Sequence, residues 1–387
     1  MNPRITRREF LRTASTTAAG LALAPSLARA AAPRAFSFVL LGDLHFDRLE
    51  HHDLAWVEKT HPGDVRQIQD YSRITRELMP RLFATVRETV ADLKRAPDGR
   101  VPFVLHVGDL VEGLCGSEEL SVRQNTEAVA FVRDAQLGAP FLFTKGNHDI
   151  TGPGAPAAFG RVFLPFITEQ ARAVVAGAGE FRSARYTVEF GHAQFAFFDA
   201  YDAESLAWFE AVAAKRTAEH FFAIVHPPVV PYGARATWHV FASEKDKAKR
   251  EKFLMLLGEQ RALVLGGHIH RFNSLARTAG RGRFAQLAVS SVVGSADVKL
   301  KTPLSGLADY TGDQIRVEPQ FSPDTEKARR AVYDAERPFV NAFEYADLPG
   351  YAVVTVDGAR VTARIFSGVG RELWRTVGLT ELLNRPV

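Results

Sequence analysis

The sequence of 387 residues predicts a layered α/β fold whose strands are covered on both faces. Three observations lead to this class. Short, almost wholly apolar runs lie between turn residues, helical patterns separate these runs, and the composition is ordinary for a globular protein, with 46% hydrophobic and 24% charged residues. A chain of this length buries a sizeable core.

The apolar runs predict strands because they are short and are bounded by turn-forming residues. In chain order they cover residues 36–41, 101–107, 141–143, 221–225, 262–265, 284–293, 351–356 and 361–366. The last two runs are separated by Asp357-Gly358, a pair that is typical of a tight hairpin. These two runs are therefore expected to pair with each other.

Helices are predicted where apolar residues recur every three to four positions. The first such pattern comprises Ile74, Leu78, Leu82, Val86, Val90 and Leu93. Pro80 lies inside it and indicates either a kink or a later helix start, because proline lacks the backbone N–H that a helix interior requires. Residues 121–136 and 203–216 predict two further helices.

Three polar segments interrupt the alternation of strands and helices and predict loop or helix insertions. They lie near residues 46–72, 232–252 and 296–346. No clean linker divides the chain, so residues 31–387 are expected to form a single domain. Insertions of this kind are expected to form a lid that selects the substrate, because loops on a rigid scaffold often complete a site.

The first thirty residues resemble a twin-arginine export signal. Arg7-Arg8 is followed by Phe10-Leu11, a weakly apolar stretch over 14–24, and the small-x-small sequence Ala28-Arg29-Ala30. The resemblance implies residues 1–30 as a cleaved signal, the twin-arginine export machinery as a partner, and a periplasmic or secreted protein exported in its folded state. The apolar stretch is too short to span a membrane, so no stable span is expected after cleavage. The alternative is an amphipathic N-terminal helix.

The charge and cysteine content exclude some classes of partner and site. Residues 1–30 hold five arginines and one glutamate, a net +4, and the formal charge of the whole chain is also +4. The remainder is therefore nearly neutral, and no nucleic-acid partner is expected. Cys115 is the only cysteine, so neither an internal disulfide nor a multi-thiolate metal site can form.

Five clusters of metal-ligand residue types each follow a strand candidate. They are Asp43-Leu44-His45, Gly108-Asp109, Gly146-Asn147-His148-Asp149, His226-Pro227-Pro228 and Gly266-Gly267-His268-Ile269-His270. In an α/β sheet, the loops at the carboxyl ends of the strands gather along one edge. Clusters that are distant in sequence are therefore expected to meet in space.

In their order and spacing these clusters resemble the calcineurin-like metallophosphoesterase family. The family pattern is D-x-H, then G-D, then G-N-H-[D/E], then a lone His, then G-H-x-H, and every element has a match in this sequence. By motif the resemblance spans residues 36 to about 293. It implies a sandwich of two mixed β-sheets flanked by helices, with the late strands completing the second sheet.

The resemblance also implies a two-metal site and a reaction. The implied ligands are Asp43, His45 and His270 for one metal and Asn147, His226 and His268 for the other, with Asp109 bridging both. His148 is implied to act on the leaving group, with Asp149 orienting it. The reaction would be hydrolysis of a small phosphoester, monoester or diester, by a metal-bridging hydroxide.

The chemistry of these residues favours the same site on independent grounds. Two cations about 3.5–4 Å apart repel each other, and a shared carboxylate such as Asp109 offsets that repulsion. Imidazole together with carboxylate suits two divalent or trivalent transition metals, with Mn, Fe or Zn favoured over Mg or Ca.

Two alternative functions stay open at this point. One is a non-catalytic scaffold with the same fold, which the presence of every ligand disfavours. The other is a nuclease, which the nearly neutral mature chain disfavours.

Departures from subfamily patterns narrow the choice of substrate only a little. Gly113 and Lys145 stand where protein phosphatases carry arginine, and Glu112 stands where purple acid phosphatases carry tyrosine. The pattern is more similar to bacterial phosphodiesterases of the cyclic-nucleotide type.

Overall fold

Two β-sheets packed face to face form the centre of the protein in a computed structural model that describes residues 35–96 and 99–384. The strands are β1 (Ala35–Leu41), β2 (Val104–His106), β3 (Phe141–Phe143), β4 (Tyr186–Phe190), β5 (Ala193–Phe197), β6 (His220–Ile224), β7 (Leu263–Gly266), β8 (Phe272–Ala279), β9 (Gly282–Ala288), β10 (Lys301–Ser305), β11 (Val340–Asp347), β12 (Gly350–Asp357), β13 (Arg360–Ser367) and β14 (Glu372–Gly378). The predicted export signal over residues 1–30 lies outside the described residues.

Both sheets contain parallel and antiparallel pairs. In the described part of the chain, one sheet has six strands in the order β14-β13-β12-β1-β2-β3. The other has eight, in the order β10-β11-β8-β9-β7-β6-β5-β4. β1, β2 and β3 run parallel, as do β5, β6, β7 and β9, while β12 lies antiparallel to β1. The predicted sandwich of two mixed sheets is confirmed.

Helices cover the outer faces of the sheets. They are α1 (Leu54–Thr60), α2 (Val65–Glu77), α3 (Met79–Arg95), α4 (Glu118–Asp134), α5 (Ala155–Ala158), α6 (Leu164–Val174), α7 (Ser205–Ala214), α8 (Lys247–Glu259), α9 (Leu307–Thr311), α10 (Glu326–Glu336) and α11 (Leu379–Asn384). No helix in the described part of the chain has the length and apolarity needed to cross a membrane.

Pro80 marks a helix start rather than a kink. α2 ends at Glu77, and α3 begins at Met79, so that Pro80 lies in its first turn. The first N–H groups of a helix have no partner within the helix, and a proline there loses nothing. The single apolar pattern that begins at Ile74 therefore belongs to two consecutive helices.

The main hydrophobic core lies between the two sheets. Phe38 of β1 meets Phe195 of β5 and Phe222 of β6, with ring centroids 5.5 and 5.8 Å away, and the latter two rings stack at 4.6 Å. All three side chains are fully buried. Burying each contributes roughly 1.5–3 kcal/mol relative to exposure. These contacts hold the two sheets in a defined relative position.

The predicted insertions contain several regular elements. Residues 46–72 include α1 and the first half of α2, and residues 232–252 are largely loop before α8. Residues 296–346 include β10, α9 and α10. Their last part belongs to β11, which pairs with β10 on one side and β8 on the other and is therefore an internal strand of the larger sheet.

The sheet topology brings the five predicted clusters to one edge. β1, β2, β3, β6 and β7 each end directly before one of them. The parallel strands point their carboxyl ends in the same direction within each sheet, and sites form at such edges. The candidate site is therefore assembled by the ends of strands from both sheets.

Candidate metal centre

Carboxylate and imidazole side chains from the loops after β1, β2, β6 and β7 form two groups of potential metal ligands that share one residue. Among the described residues, Asp43, His45, Asp109 and His270 each place a potential ligand atom within 4.8 Å of the others. A second group meeting the same criterion comprises Asp109, His226 and His268. Asp109 is common to both groups, as a bridging ligand must be. Apart from the amide ligand Asn147, the two groups contain the residues of the two predicted ligand sets, whose role in binding metal stays a prediction.

Hydrogen bonds at the outer nitrogens orient two of the imidazoles. His45 Nδ1 lies 2.7 Å from the buried carboxylate of Glu112, and His226 Nδ1 lies 2.8 Å from the carbonyl oxygen of Val107. Because both partners only accept, each Nδ1 carries the proton and each Nε2 presents a lone pair to the centre. A hydrogen bond at the nitrogen that faces away from a metal fixes the tautomer that can bind it.

The inner nitrogen and oxygen atoms of the two groups lie close together. His226 Nε2 lies 2.9 Å from Asp109 Oδ2, and His45 Nε2 lies 3.0 Å from His270 Nε2. Lone pairs this close repel unless a proton or a metal ion lies between them. Asp43 Oδ2 and Asn147 Oδ1 are buried without a hydrogen-bond partner. Unsatisfied buried oxygens are costly, so these donors fit a pair of metal ions.

The electrostatics of the protein without metal reflect the same crowding. Burial raises the pKa of Asp43 to about 7. Burial opposes charge on His226, but the carboxylates of Asp109 and Asp43 outweigh it and raise the pKa of His226 to about 9. Burial and the neighbouring His226 lower the pKa of His268 to about 3. In the protein without metal, protons on Asp43 and His226 therefore supply part of the positive charge that metal ions would bring.

The backbone of the site is strained. Of the eleven non-glycine residues with positive φ in the described part of the chain, five are predicted ligands: Asp43, His45, Asp109, His268 and His270. Left-handed backbone costs energy for residues with a Cβ, and such strain concentrates at functional sites.

Two glycines allow the close approach of the loops. A Cβ on Gly108, whose φ is +102°, would lie 2.6 Å from His226 Nδ1, and one on Gly267 would lie 2.6 Å from Asp43 Oδ2. Glycine at these positions therefore lets the ligand-bearing loops pack against one another.

His148 lies beside the two groups with one nitrogen held by the protein. Its Nδ1 is 2.7 Å from the main-chain carbonyl of Glu112 and 3.3 Å from the Glu112 carboxylate. Burial opposes charge on the imidazole, but the carboxylates of Glu112 and Asp109 outweigh it and raise the pKa of His148. The ring lines the same cleft as Asp109 and His268. Its Nε2 is thus the nitrogen left to meet a substrate.

The predicted orienting role of Asp149 is wrong in its geometry. The Asp149 carboxylate accepts hydrogen bonds from the main-chain amides of Gly146, Asp109, Leu110 and Val111, at distances of 2.7 to 3.2 Å. Asp149 thus ties its own loop to the loop that carries Asp109, and its carboxylate points away from the His148 imidazole, because adjacent residues in this turn point in different directions. The orientation of His148 comes from Glu112.

Glu112 is a site residue that sequence reasoning missed. Its buried carboxylate contacts His45 and His148 and accepts a hydrogen bond from Gln67 at 2.8 Å. The only sequence signal for it is an acidic residue three positions after Asp109, where purple acid phosphatases carry tyrosine. Its role depends on contacts between loops that no local pattern encodes.

Replacing Glu112 with glutamine is expected to weaken metal binding about 10–100-fold, the usual cost of losing the hydrogen-bond partner of a metal-binding histidine. The amide presents one acceptor where Glu112 now serves both His45 and Gln67, so His45 loses its fixed tautomer. Chelator competition measures the change. Glu58→Gln, at an exposed position, is the matched control. Equal affinities for the Glu112 variant and the wild type would contradict the assigned role.

A cleft of about 340 Å³ opens above the candidate ligands. One side is formed by Asn147, His148, His268 and other residues of the ligand loops. The other side comes from the first and second predicted insertions, through His61, Asp64, Gln67, Tyr71, Arg235 and Trp238. Tyr71 stacks on His45 with ring centroids 4.4 Å apart. The insertions thus form walls of the site, although their effect on substrate choice stays a prediction.

Comparison with known proteins defines the class. Residues 36–272 match the family model described as calcineurin-like phosphoesterase. The match covers more than half of the chain, so the chain belongs to the calcineurin-like phosphoesterase family. A search of curated proteins found no match.

Solved structures with a similar fold include two phosphatases. A purple acid phosphatase from yellow lupin (Lupinus luteus) seeds has a TM-score of 0.50 at 11% identity and covers 88% of this chain and 53% of its own. A dimetal phosphatase from Danio rerio has a TM-score of 0.47 at 13% identity and covers 89% of this chain and 99% of its own. This chain thus spans about half the length of the lupin protein. The likeness to the lupin protein, at 11% identity, concerns the fold alone.

Proposed function

We propose that this protein hydrolyses phosphoesters with the help of two transition-metal ions. The observation that carries the proposal is the pair of ligand groups that share Asp109. Unsatisfied oxygens on Asp43 and Asn147 support it, because a protein seldom buries such atoms without a partner. Membership of the calcineurin-like phosphoesterase family supports the reaction class.

The bound metals and His148 would have different roles in the hydrolysis. Bound metals supply Lewis acidity toward the phosphoryl oxygens and make water a better nucleophile at neutral pH. His148 Nδ1 donates its proton in a hydrogen bond to the Glu112 carbonyl oxygen. Its Nε2 can therefore donate a proton only when the ring is cationic. The raised pKa of His148 favours that cationic form. Its Nε2 would protonate the oxygen of the leaving group.

The test is hydrolysis of p-nitrophenyl phosphate and bis(p-nitrophenyl) phosphate by protein loaded with Mn, Fe or Zn. Activity on at least one ester is expected, together with about two metal ions per chain by elemental analysis. Full activity in the presence of a strong chelator would overturn the proposal. A folded protein that binds no metal under any loading condition would instead favour a non-catalytic scaffold.

Replacing His148 with asparagine is expected to lower kcat about 10²–10³-fold, within the usual range for loss of a general acid or base. The loss should be larger for an alkyl ester than for a p-nitrophenyl ester, because p-nitrophenolate leaves without needing a proton. Kinetics on both esters measure the difference. Metal content should stay at the wild-type level, and an equal loss on both esters would contradict proton donation.

We also infer that the protein is exported in its folded form. The inference rests on the paired Arg7-Arg8 and the apolar stretch that follows it. Changing both arginines to lysine is expected to keep the protein in the cytoplasm, as cell fractionation would reveal. The matched control changes Arg4 and Arg12 to lysine and should leave export intact. Export of the Arg7, Arg8 double variant at the wild-type level would refute the inference.

A further inference from the structure

One arginine in the cleft lacks an acidic partner among the residues that the structure describes. Of the lining residues in the described part, Arg235 is the one arginine or lysine. No carboxylate in residues 35–96 or 99–384 lies within ion-pair distance of its guanidinium. Nearby Arg271 differs, because it pairs with Glu318 at 2.9 Å and with Asp347 at 3.4 Å. An arginine left without an acidic partner beside a candidate phosphate site is available for an anionic ligand.

Arg235 is held against an indole that borders the candidate metal centre. Its guanidinium carbon lies 4.6 Å from the ring centroid of Trp238. The same indole lies 5.5 Å from the imidazole of His268, a predicted ligand. Trp238 keeps 39% of its surface exposed. A positive group and an open aromatic surface therefore stand side by side within reach of the same ligand loop.

The third predicted insertion fixes the loop that carries both residues. Gly233 N donates to Gln314 Oε1 at 2.6 Å, and Tyr333 Oη donates to the Gly233 carbonyl at 2.6 Å. Asp324 accepts from Thr237 N at 3.1 Å and from Thr237 Oγ1 at 2.6 Å. Main-chain groups of the loop are thus bound by side chains from residues 314–333. A loop held in this way presents its side chains with little entropy left to lose on binding.

We propose that residues 233–239, hereafter the recognition loop, bind the substrate: Arg235 contacts the phosphate oxygens, and Trp238 contacts a flat, aromatic organic group attached to the phosphate. The proposal rests on the proposed phosphoesterase function and deepens it by naming the substrate class. It also gives residues 314–333 a role, that of positioning the recognition loop. A guanidinium offers planar paired donors to phosphate oxygens, and an indole offers its face or edge to an aromatic ring.

The test uses two ligands that cannot be hydrolysed, phenylphosphonate and methylphosphonate, bound to metal-loaded protein and measured by calorimetry. The wild type is expected to prefer phenylphosphonate. Arg235→Met should weaken both ligands about tenfold or more, the scale of a charged hydrogen bond, and Arg235→Lys should restore part of the affinity. Trp238→Ala should remove the preference for the phenyl ligand, about threefold to tenfold on the scale of an aromatic pair.

Matched controls separate these effects from general damage. Arg360→Met, on an exposed β13 side chain, and Trp208→Ala, on α7 away from the cleft lining, should both bind the two phosphonates like the wild type. Asp324→Ala should weaken phenylphosphonate less than Arg235→Met does and should raise KM more than it lowers kcat, as expected of a positioning residue. Elemental analysis should find the metal content of every variant unchanged.

The two levels of the proposal fail in distinguishable ways. A wild type that hydrolyses no ester and binds neither phosphonate would overturn the proposed function itself. A wild type that hydrolyses esters, while Arg235→Met and Trp238→Ala bind both phosphonates unchanged, would overturn the recognition loop alone. Loss of affinity in Arg235→Met with no recovery in Arg235→Lys, together with loss of metal, would assign Arg235 a structural role instead.

Discussion

Replacing Asp109 with asparagine is expected to abolish measurable hydrolysis, with a loss of at least about 10³-fold, and to reduce bound metal from two ions per chain to one or fewer. Asp109 belongs to both ligand groups, and its Oδ2 lies 2.9 Å from His226 Nε2 and 3.7 Å from His45 Nε2. The neutral amide offers one oxygen and removes the negative charge that screens two cations from each other. Ester hydrolysis and elemental analysis on the same sample measure both effects.

The matched control is Asp246→Asn, at a position that pairs with Lys249 outside the cleft. It should keep both activity and metal content. Circular dichroism should show that the Asp109 variant is folded, because its amide still fills the same space. An Asp109 variant that retains two metals and a tenth or more of the wild-type rate would mean that the shared carboxylate is not the centre of the site.

Removing the metal is expected to abolish activity and to lower the melting temperature by several degrees. A ligand present at a thousand times its dissociation constant stabilises the folded state by about 4 kcal/mol, and that contribution disappears with the metal. Reloading with metal should restore both properties. A chelator with differential scanning calorimetry provides the measurement.

The stability lost on metal removal is expected to grow between pH 6.5 and pH 9. In the protein without metal the pKa of His226 is raised to about 9 from an ordinary 6.5, so its protonated form is favoured by folding. That contribution is fully present below pH 6.5 and disappears as the pH rises through about 9. Bound metal replaces this proton, so the loaded protein should change less. A pH-independent difference in melting temperature would contradict this linkage.

Sequence alone predicted eight of the fourteen strands among the described residues and missed three of the four edge strands. β1, β3, β6 and β7 lie in near-continuous apolar runs because both of their faces are buried. Six strands were missed: β4, β5, β8, β10, β11 and β14. β10 and β14 are edge strands with mostly exposed side chains, and their pairing arises from neighbouring strands rather than from their own pattern.

The residues of the candidate site likewise fall into those that the sequence predicted and those that it did not. The predicted ligands lie in short motifs directly after strands, where sequence position and strand direction suffice to bring them to one edge. Glu112, Arg235 and Trp238 have no such motif, since their environment is created by loops from other parts of the chain. Asp149 lies within a motif, yet its direction could not be read from it, because a turn rotates successive side chains differently.

By itself the sequence determined which residue types stand at the ends of the buried strands, and hence the family and the chemistry available to the chain. Tertiary structure decided which atoms face one another: the Nδ1 partners that fix each imidazole, the residue that orients His148, and the surroundings of Arg235. The physical reason is the distance along the chain between the residues that interact. Strand burial is encoded locally as apolar runs, whereas hydrogen bonds and charge pairing depend on a few ångströms between segments that are far apart along the chain.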